Sequence, residues 1–245
     1  MDSGFYAACT GLAARMQAVD LAANNIANAS TGAFRAQYPV FRSILQQTPE
    51  GDSLQAVVNN YGIVSATRTD STAGTIERTG NDFDMALEGP GFFVVQTQAG
   101  VRYTRNGRFQ LTADGTLTTV QGDRVLGSEG TLQLPAGKLT AGPDGTLSVA
   151  GALAGQLRIV EFPPGTELNS LGGTYYGASQ QPSAAKSTEV RQGTLEASNV
   201  NPVSGAVELM ELQRQAETLG RVFSSFHSEF NRTAAEQLPR IQMGG

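Results

Sequence analysis

Apolar residues along this chain fall into two ordered registers, one near each end. Phe5, Cys9, Leu12, Met16, Val19, Ala23 and Ile26 follow one another at alternating steps of four and three, the a/d seam of a heptad. Leu209, Leu212, Ala216, Leu219, Phe223, Phe226 and Phe230 repeat the pattern near the other end. The spacing predicts one helix over about 2–28 and a second from Pro202 to about Leu238. Asn201 suits the N-cap of the second, Pro202 suits its first position, where a missing N–H costs nothing, and Pro239 stops it. At 1.5 Å per residue these are rods of roughly 40 and 55 Å. Both seams are narrower than the stripe of a helix lying on a globular core, so they predict helix-to-helix pairing, with each other or with neighbouring subunits. An ordinary two-helix flank packed on a β-domain is the alternative. Phe223, Phe226 and Phe230 favour assembly, because a lone antiparallel pair would struggle to cover them.

Helical periodicity disappears between about Thr67 and Gly193. "GFFVVQT" (Gly91–Thr97) and "QLRIVEF" (Gln156–Phe162) are compact apolar runs of strand length. "VRYTRNGRFQL" (Val101–Leu111) carries Asn-Gly between β-forming residues and predicts a hairpin. "TADGTLTTV" and "AGPDGTLSV" echo each other, each setting Asp-Gly in a tight turn before a Thr-Leu strand. Their oxygen ligands are too sparse for a calcium loop. "FPPGTELNSLGG" and "ASQQPSAAKST" read as loops, the second mobile. The resulting fold class is α+β, with terminal helices paired as a coiled-coil domain around a β-rich middle. The divisions are residues 1–35 (helix), 36–66 (extended linker), 67–193 (β-rich) and 194–245 (helix).

Composition narrows the function. Charged residues make up only 16% and glycine 29 of 245, which suits turns, β-structure and large contact surfaces. A net charge of −5 without a basic patch argues against nucleic acid. No run approaches a membrane span, and the N-terminus, with Asp2 and no basic region, does not read as a signal peptide. Cys9, in the seam, reads as a small buried hydrophobe. His227 is the only histidine and lacks partners at metal-binding spacing. Asp82 and Asp84 would share a face of an extended segment but read as a strand entry rather than an acid–base pair. The expectation is therefore no catalytic residue, no metal and no cofactor. An enzyme or carbohydrate-binding β-domain with helical arms is disfavoured by one histidine and no tryptophan. An extracellular coiled-coil adhesin would normally carry a signal peptide.

Four segments in order, "AANNIANASTGAFRAQ", "DMALEGPGFFVVQT", "RYTRNGRFQLTADGTL" and "GTLEASNVNPV", resemble the bacterial flagellar rod and hook proteins across nearly the whole chain. The pattern is most similar to the proximal rod type, with the distal rod type next. The residues carrying the resemblance include Asn24, Asn25, Ala27, Asn28 and Phe34, and Ser198, Asn199 and Val200. It implies a structural subunit with its helices lining a tube and its β-domain outside. Such subunits stack helically into the rod that carries torque across the periplasm. The implied partners are copies of itself, other rod proteins and the flagellar type III export apparatus. One departure stands out. The family pattern is Thr-x-Gly-Phe-Lys/Arg, whereas here Gly32 and Ala33 precede Phe34 and Arg35, so the glycine lies one place early. The asparagine cluster itself reads as a helix stop whose side-chain amides are left for neighbouring subunits.

Overall fold

A computed structural model describes residues 2–44, 61–166 and 168–237. The architecture is α+β: a helix at each end, α1 (Asp2–Ala27) and α2 (Pro202–Gln237), with strands between them. The described part of α2 begins at Pro202 as the N-cap argument requires. α1 is alanine-rich and runs until Asn28, whose carbonyl accepts the Thr31 N–H at 3.0 Å to turn the chain. Two compact units emerge. One contains α1 up to Ile26, α2, and the paired strands Gln37–Ile44 and Tyr61–Thr69 up to Arg68; the other contains Ala27–Ala36 and Thr69–Asn201. Within 36–66, the stretch assigned to an extended linker, the described residues hold the first of those strands and the start of the second.

The β-rich unit is organised around Phe92–Thr97. This strand pairs antiparallel with Gly100–Thr104 on one side, and with Arg124–Gly127 and Ile159–Glu161 on the other. Side chains alternate across a strand, and here both faces are buried. Phe93 and Val95 enter a cluster with Met85, Leu117, Leu147 and Ile159. Phe92 and Val94 enter a second cluster with Val160 and Tyr176. That explains why "FFVV" is an unbroken apolar run rather than an alternating one: each face has its own core. Each large side chain buried here contributes about 1.5–3 kcal/mol. Phe93 meets Phe109 edge-on at 5.1 Å, and Phe92 meets Phe162 at 5.6 Å.

Both Asp-Gly segments form the expected hairpin turns. Gly115 and Gly145 take φ of 75° and 82°, and the turns join Phe109–Leu111 to Leu117–Thr119 and Leu139–Ala141 to Thr146–Val149. The hairpin over 101–111 does not form. Gly100–Thr104 pairs with Phe92–Thr97 and Tyr175–Ala178, while Phe109–Leu111 pairs with Leu117–Thr119. The chain crosses between these strands at Arg105–Arg108. Gly107 is needed there for close approach rather than for a turn: a Cβ would lie 1.7 Å from the Met85 carbonyl oxygen. The reason for the crossing is Arg105, which is buried and donates to the carbonyls of Gly89, Gly91 and Leu87 at 2.6–2.8 Å. The two segments read as loops also hold short strands, Leu168–Ser170 and Ser183–Ala184. The second is pinned rather than free. Glu161 Oε1 accepts from the Lys186 and Ser187 N–H groups and the Ser187 and Thr188 hydroxyls at 2.7–3.1 Å. Burial alone would raise the Glu161 pKa, but these hydrogen bonds outweigh it and the net shift is downward.

Candidate assembly surface

Each helix of the helical unit presents more than one face. On α1 the buried residues are Ala14, Ala18, Ala22 and Asn25, a stripe of small side chains that admits close neighbours. The heptad residues lie beside this stripe. Cys9, Leu12, Val19 and Ile26 are half-buried, Met16 is 58% exposed and Ala23 is exposed; the Phe5 side chain lies outside the described residues. On α2, Leu209, Leu212, Ala216, Leu219 and Phe223 are all half-buried, and the Phe226 and Phe230 side chains lie outside the described set. The helices meet where Gly205 faces Ile26; a Cβ on Gly205 would lie 3.1 Å from Ile26 Cγ1. Further along, Ala18, Ala22, Tyr38, Glu208 and Leu212 line a groove of about 280 Å³.

A second apolar stripe on α2 was not anticipated. Val203, Val207 and Met210 are 74%, 59% and 62% exposed. At about 100° per residue they fall on the side of α2 opposite Leu212, Ala216 and Phe223. Steps of four and three mark this stripe too, but it spans only three residues before Arg214 ends it.

The motif residues do structural work inside the chain. Asn25 is buried, and its amide pairs twice with the Gln37 backbone: Nδ2 donates to the carbonyl and Oδ1 accepts the N–H, both at 2.9 Å. That corrects the expectation that the amides are left for other subunits. Asn24 and Ala27 are exposed, and Asn28 Oδ1 accepts the Thr31 hydroxyl at 3.2 Å. Phe34 is buried in the β-rich unit, and its carbonyl accepts the Asn199 N–H at 3.2 Å. The Asn199 side chain then spans two other segments, accepting from Ala36 N–H at 2.8 Å and donating to the Thr72 carbonyl at 3.0 Å. Ser198 Oγ accepts the Val200 N–H at 3.2 Å.

The chemical candidates resolve differently. Asp84 is buried, takes a hydrogen bond from Asn81 at 3.2 Å and pairs with Arg108 through the backbone in an isolated antiparallel β-bridge at a strand entry. Asp82 is half-buried, and the His227 side chain lies outside the described residues. Among the described residues no group of His, Cys, Asp and Glu is placed to hold a metal, and no helix is long and apolar enough to cross a membrane.

Family models match three stretches of the chain. They are described as Flagella basal body rod protein (residues 5–35), Flagellar hook protein FlgE/F/G D1 domain (86–149) and Flagellar basal body rod FlgEFG protein C-terminal (191–226). The flagellar basal-body rod protein FlgF of Caulobacter vibrioides is 32% identical over 249 residues, covering 98% of this chain and all of that one. The chain belongs to the flagellar basal-body rod protein family. Within it the FlgF type is supported: FlgF of Salmonella typhimurium is also similar nearly end to end, 30% identical over 97% of this chain and 98% of its own. The rod protein FlgG of Agrobacterium fabrum is 30% identical over 89% of this chain and 93% of its own. As a rod protein the chain is a structural subunit of the flagellar basal body, not an enzyme.

Sequence reasoning missed the buried charges of this rod protein. Arg105 and Glu196 are 1% and 2% exposed, and Arg35 is 7% exposed. All three stand inside the quoted family segments, yet no role was assigned to them. The signal lies in the structure rather than in the spacing. Glu196 follows Thr194 and Leu195 in a strand whose residues are all buried, and an acid in such a place requires a cationic partner.

Proposed function

We propose that this rod protein polymerises helically as a subunit of the proximal rod, its helices forming a coiled-coil inner layer with neighbouring copies and other rod subunits. Its β-rich unit lies outside that layer, and the assembled shaft carries torque across the periplasm. The observation that carries the reading is the two-sided α2. One face is half-covered within the chain; the opposite face leaves Val207 and Met210 mostly exposed. A helix apolar on two faces suits a packed layer and ill suits a solvated monomer. In this reading residues 1–35 and 194–245 serve assembly, 36–66 connect and 67–193 form the outer body, with Ala27–Ala36 and the strand Thr194–Glu196 belonging by their packing to the β-rich unit. Delivery by the type III export apparatus accords with a chain that uses no internal disulfide, Cys9 being its only cysteine.

The experiment is a pair of variants in a motile strain, Phe223→Asp on one α2 face and Val207→Asp/Met210→Asp on the other. Each is expected to abolish swimming in soft agar and to leave isolated basal bodies without a complete rod, while the subunit is still exported. Normal swimming in both variants would exclude the reading.

A further inference from the structure

Three residues far apart in the chain meet inside the β-rich unit. Arg35 belongs to the Ala27–Ala36 segment, Arg105 follows the strand Gly100–Thr104, and Glu196 ends the strand Thr194–Glu196. Glu196 Oε2 accepts from Arg105 Nε at 2.6 Å. Its Oε1 accepts from the Gly74 N–H at 3.1 Å and faces Arg35 Nη2 at 3.9 Å. Its backbone carbonyl accepts the Ala33 N–H at 2.7 Å. Both guanidinium groups flank one ring, with their carbons 5.7 and 5.8 Å from the Phe92 centroid.

The two arginines are held unequally. Arg105 has three backbone carbonyls besides Glu196 and belongs to the frame of the unit. Arg35 has no such cage, and its Nε has no hydrogen-bond partner among the described residues. Burial, then the like charge of Arg105, pushes the Arg35 pKa down; Glu196 opposes them most, ahead of Tyr176 and Asp70. What keeps a buried guanidinium acceptable there is chiefly one carboxylate.

We propose that Glu196 is the latch of a separately opening segment: it holds Ala27–Ala36 on the β-rich unit, and breaking it frees that segment while the β core stays folded. The segment is a unit of local opening on physical grounds. Its attachments among the described residues are specific: the Ala33 contact to Glu196, the Asn199 contacts to Phe34 and Ala36, the Tyr176 hydrogen bond to the Arg35 backbone, and the Asp70 N–H donating to the Ala36 carbonyl at 2.8 Å. Phe92 packs in a hydrophobic cluster with Val94, Val160 and Tyr176 that takes no apolar member from the segment, whose Arg35 only flanks the Phe92 ring. The segment continues at its ends into α1 and the strand Gln37–Ile44.

Residue-resolved hydrogen exchange on the purified full-length chain tests this. In Glu196→Gln the amides of Ala33, Phe34 and Ala36 are expected to exchange on the order of 100-fold faster, because buried Arg35 loses its chief partner, while Arg105 keeps its three backbone carbonyls and Val94, Val95 and Leu117 are unchanged. Arg35→Glu, which sets a second carboxylate against Glu196 and leaves the Arg105 cage intact, is expected to free the same three amides; Arg35→Lys keeps the charge and most of the protection. Unchanged protection of Ala33, Phe34 and Ala36 in Arg35→Glu overturns the proposal. So does loss spread evenly over the core amides in that variant.

Discussion

At the scale of single residues, the displaced glycine has a structural consequence. Ala33 takes φ of 57°, the left-handed region, and is buried with its N–H on the Glu196 carbonyl. The family's glycine position therefore still needs glycine geometry here, and an alanine supplies it under strain. Gly32 is not in that region, and a Cβ there would sit 3.4 Å from the Glu196 carbonyl oxygen and 3.7 Å from Asn106 Oδ1, ordinary contact. The left-handed conformation costs an alanine roughly 1–2 kcal/mol, partly offset in a glycine variant by its greater freedom when unfolded and by the lost methyl burial. Ala33→Gly is thus expected to stabilise the protein by about 0.5 kcal/mol, and Gly32→Ala to be tolerated. Denaturant midpoints of the two single variants check this; a destabilised Ala33→Gly would show that burial of the methyl outweighs the strain.

Elements differ in how legible they were, for physical reasons. Both helices announce themselves because a heptad pattern sustained over many turns, an Asn-Pro start and an asparagine-rich stop are local signals; the structure keeps the bounds of α1 and the start of α2, while the expected stop at Pro239 lies outside the described residues. The Asp-Gly hairpins are local too. The failed hairpin at Asn106-Gly107 is not: only the remote Glu196 and the carbonyls of Leu87, Gly89 and Gly91 explain why the chain crosses there. Asn25 is a similar case, since its partner at Gln37 lies twelve residues on, beyond the helix stop. Pairings of distant segments leave little trace in spacing.

The sheet has one such remote tie that titrates. Tyr175, on the strand Tyr175–Ala178, donates its hydroxyl hydrogen to Asp123 Oδ2 at 2.7 Å and lies 3.0 Å from Thr119 Oγ1, on a strand not adjacent to its own. Burial is the largest influence and pushes this phenol up from 10.0 to about 12; the Thr119 contact comes next and pulls it down, and Asp123 adds to the rise. A raised folded-state pKa means that the stabilising contribution is fully present below pH 10.0 and is lost as pH rises towards about 12. Tyr175→Phe removes both the hydrogen bond and the titration. The stability advantage of the natural chain over Tyr175→Phe is expected to shrink across that interval, measured by denaturation at a series of pH values. Parallel curves would rule the tie out as the source.

For the whole molecule, the two units are stabilised by different means. Every residue of both hydrophobic clusters belongs to the β-rich unit. Among the described residues of the helical unit, the buried apolar side chains are those of Ala14, Ala18 and Ala22 on α1, one methyl each, which contribute little at about 0.8 kcal/mol per carbon. Helices with so small a buried face depend on partners, since helix formation in water is marginal without tertiary packing. Assembly into the rod would supply those partners along Leu209–Phe223 and along Val207 and Met210. The purified monomer is therefore expected to show less helix by far-ultraviolet circular dichroism than the polymerised protein, and to lose that helix on heating before the β-rich unit melts. The order follows from burial: the unit with both cores resists longest. A verified monomer that carries the full helical signal and melts in one transition, with helix and sheet lost together, would mean that the helical unit is stabilised within the single chain and that assembly adds contacts without ordering it.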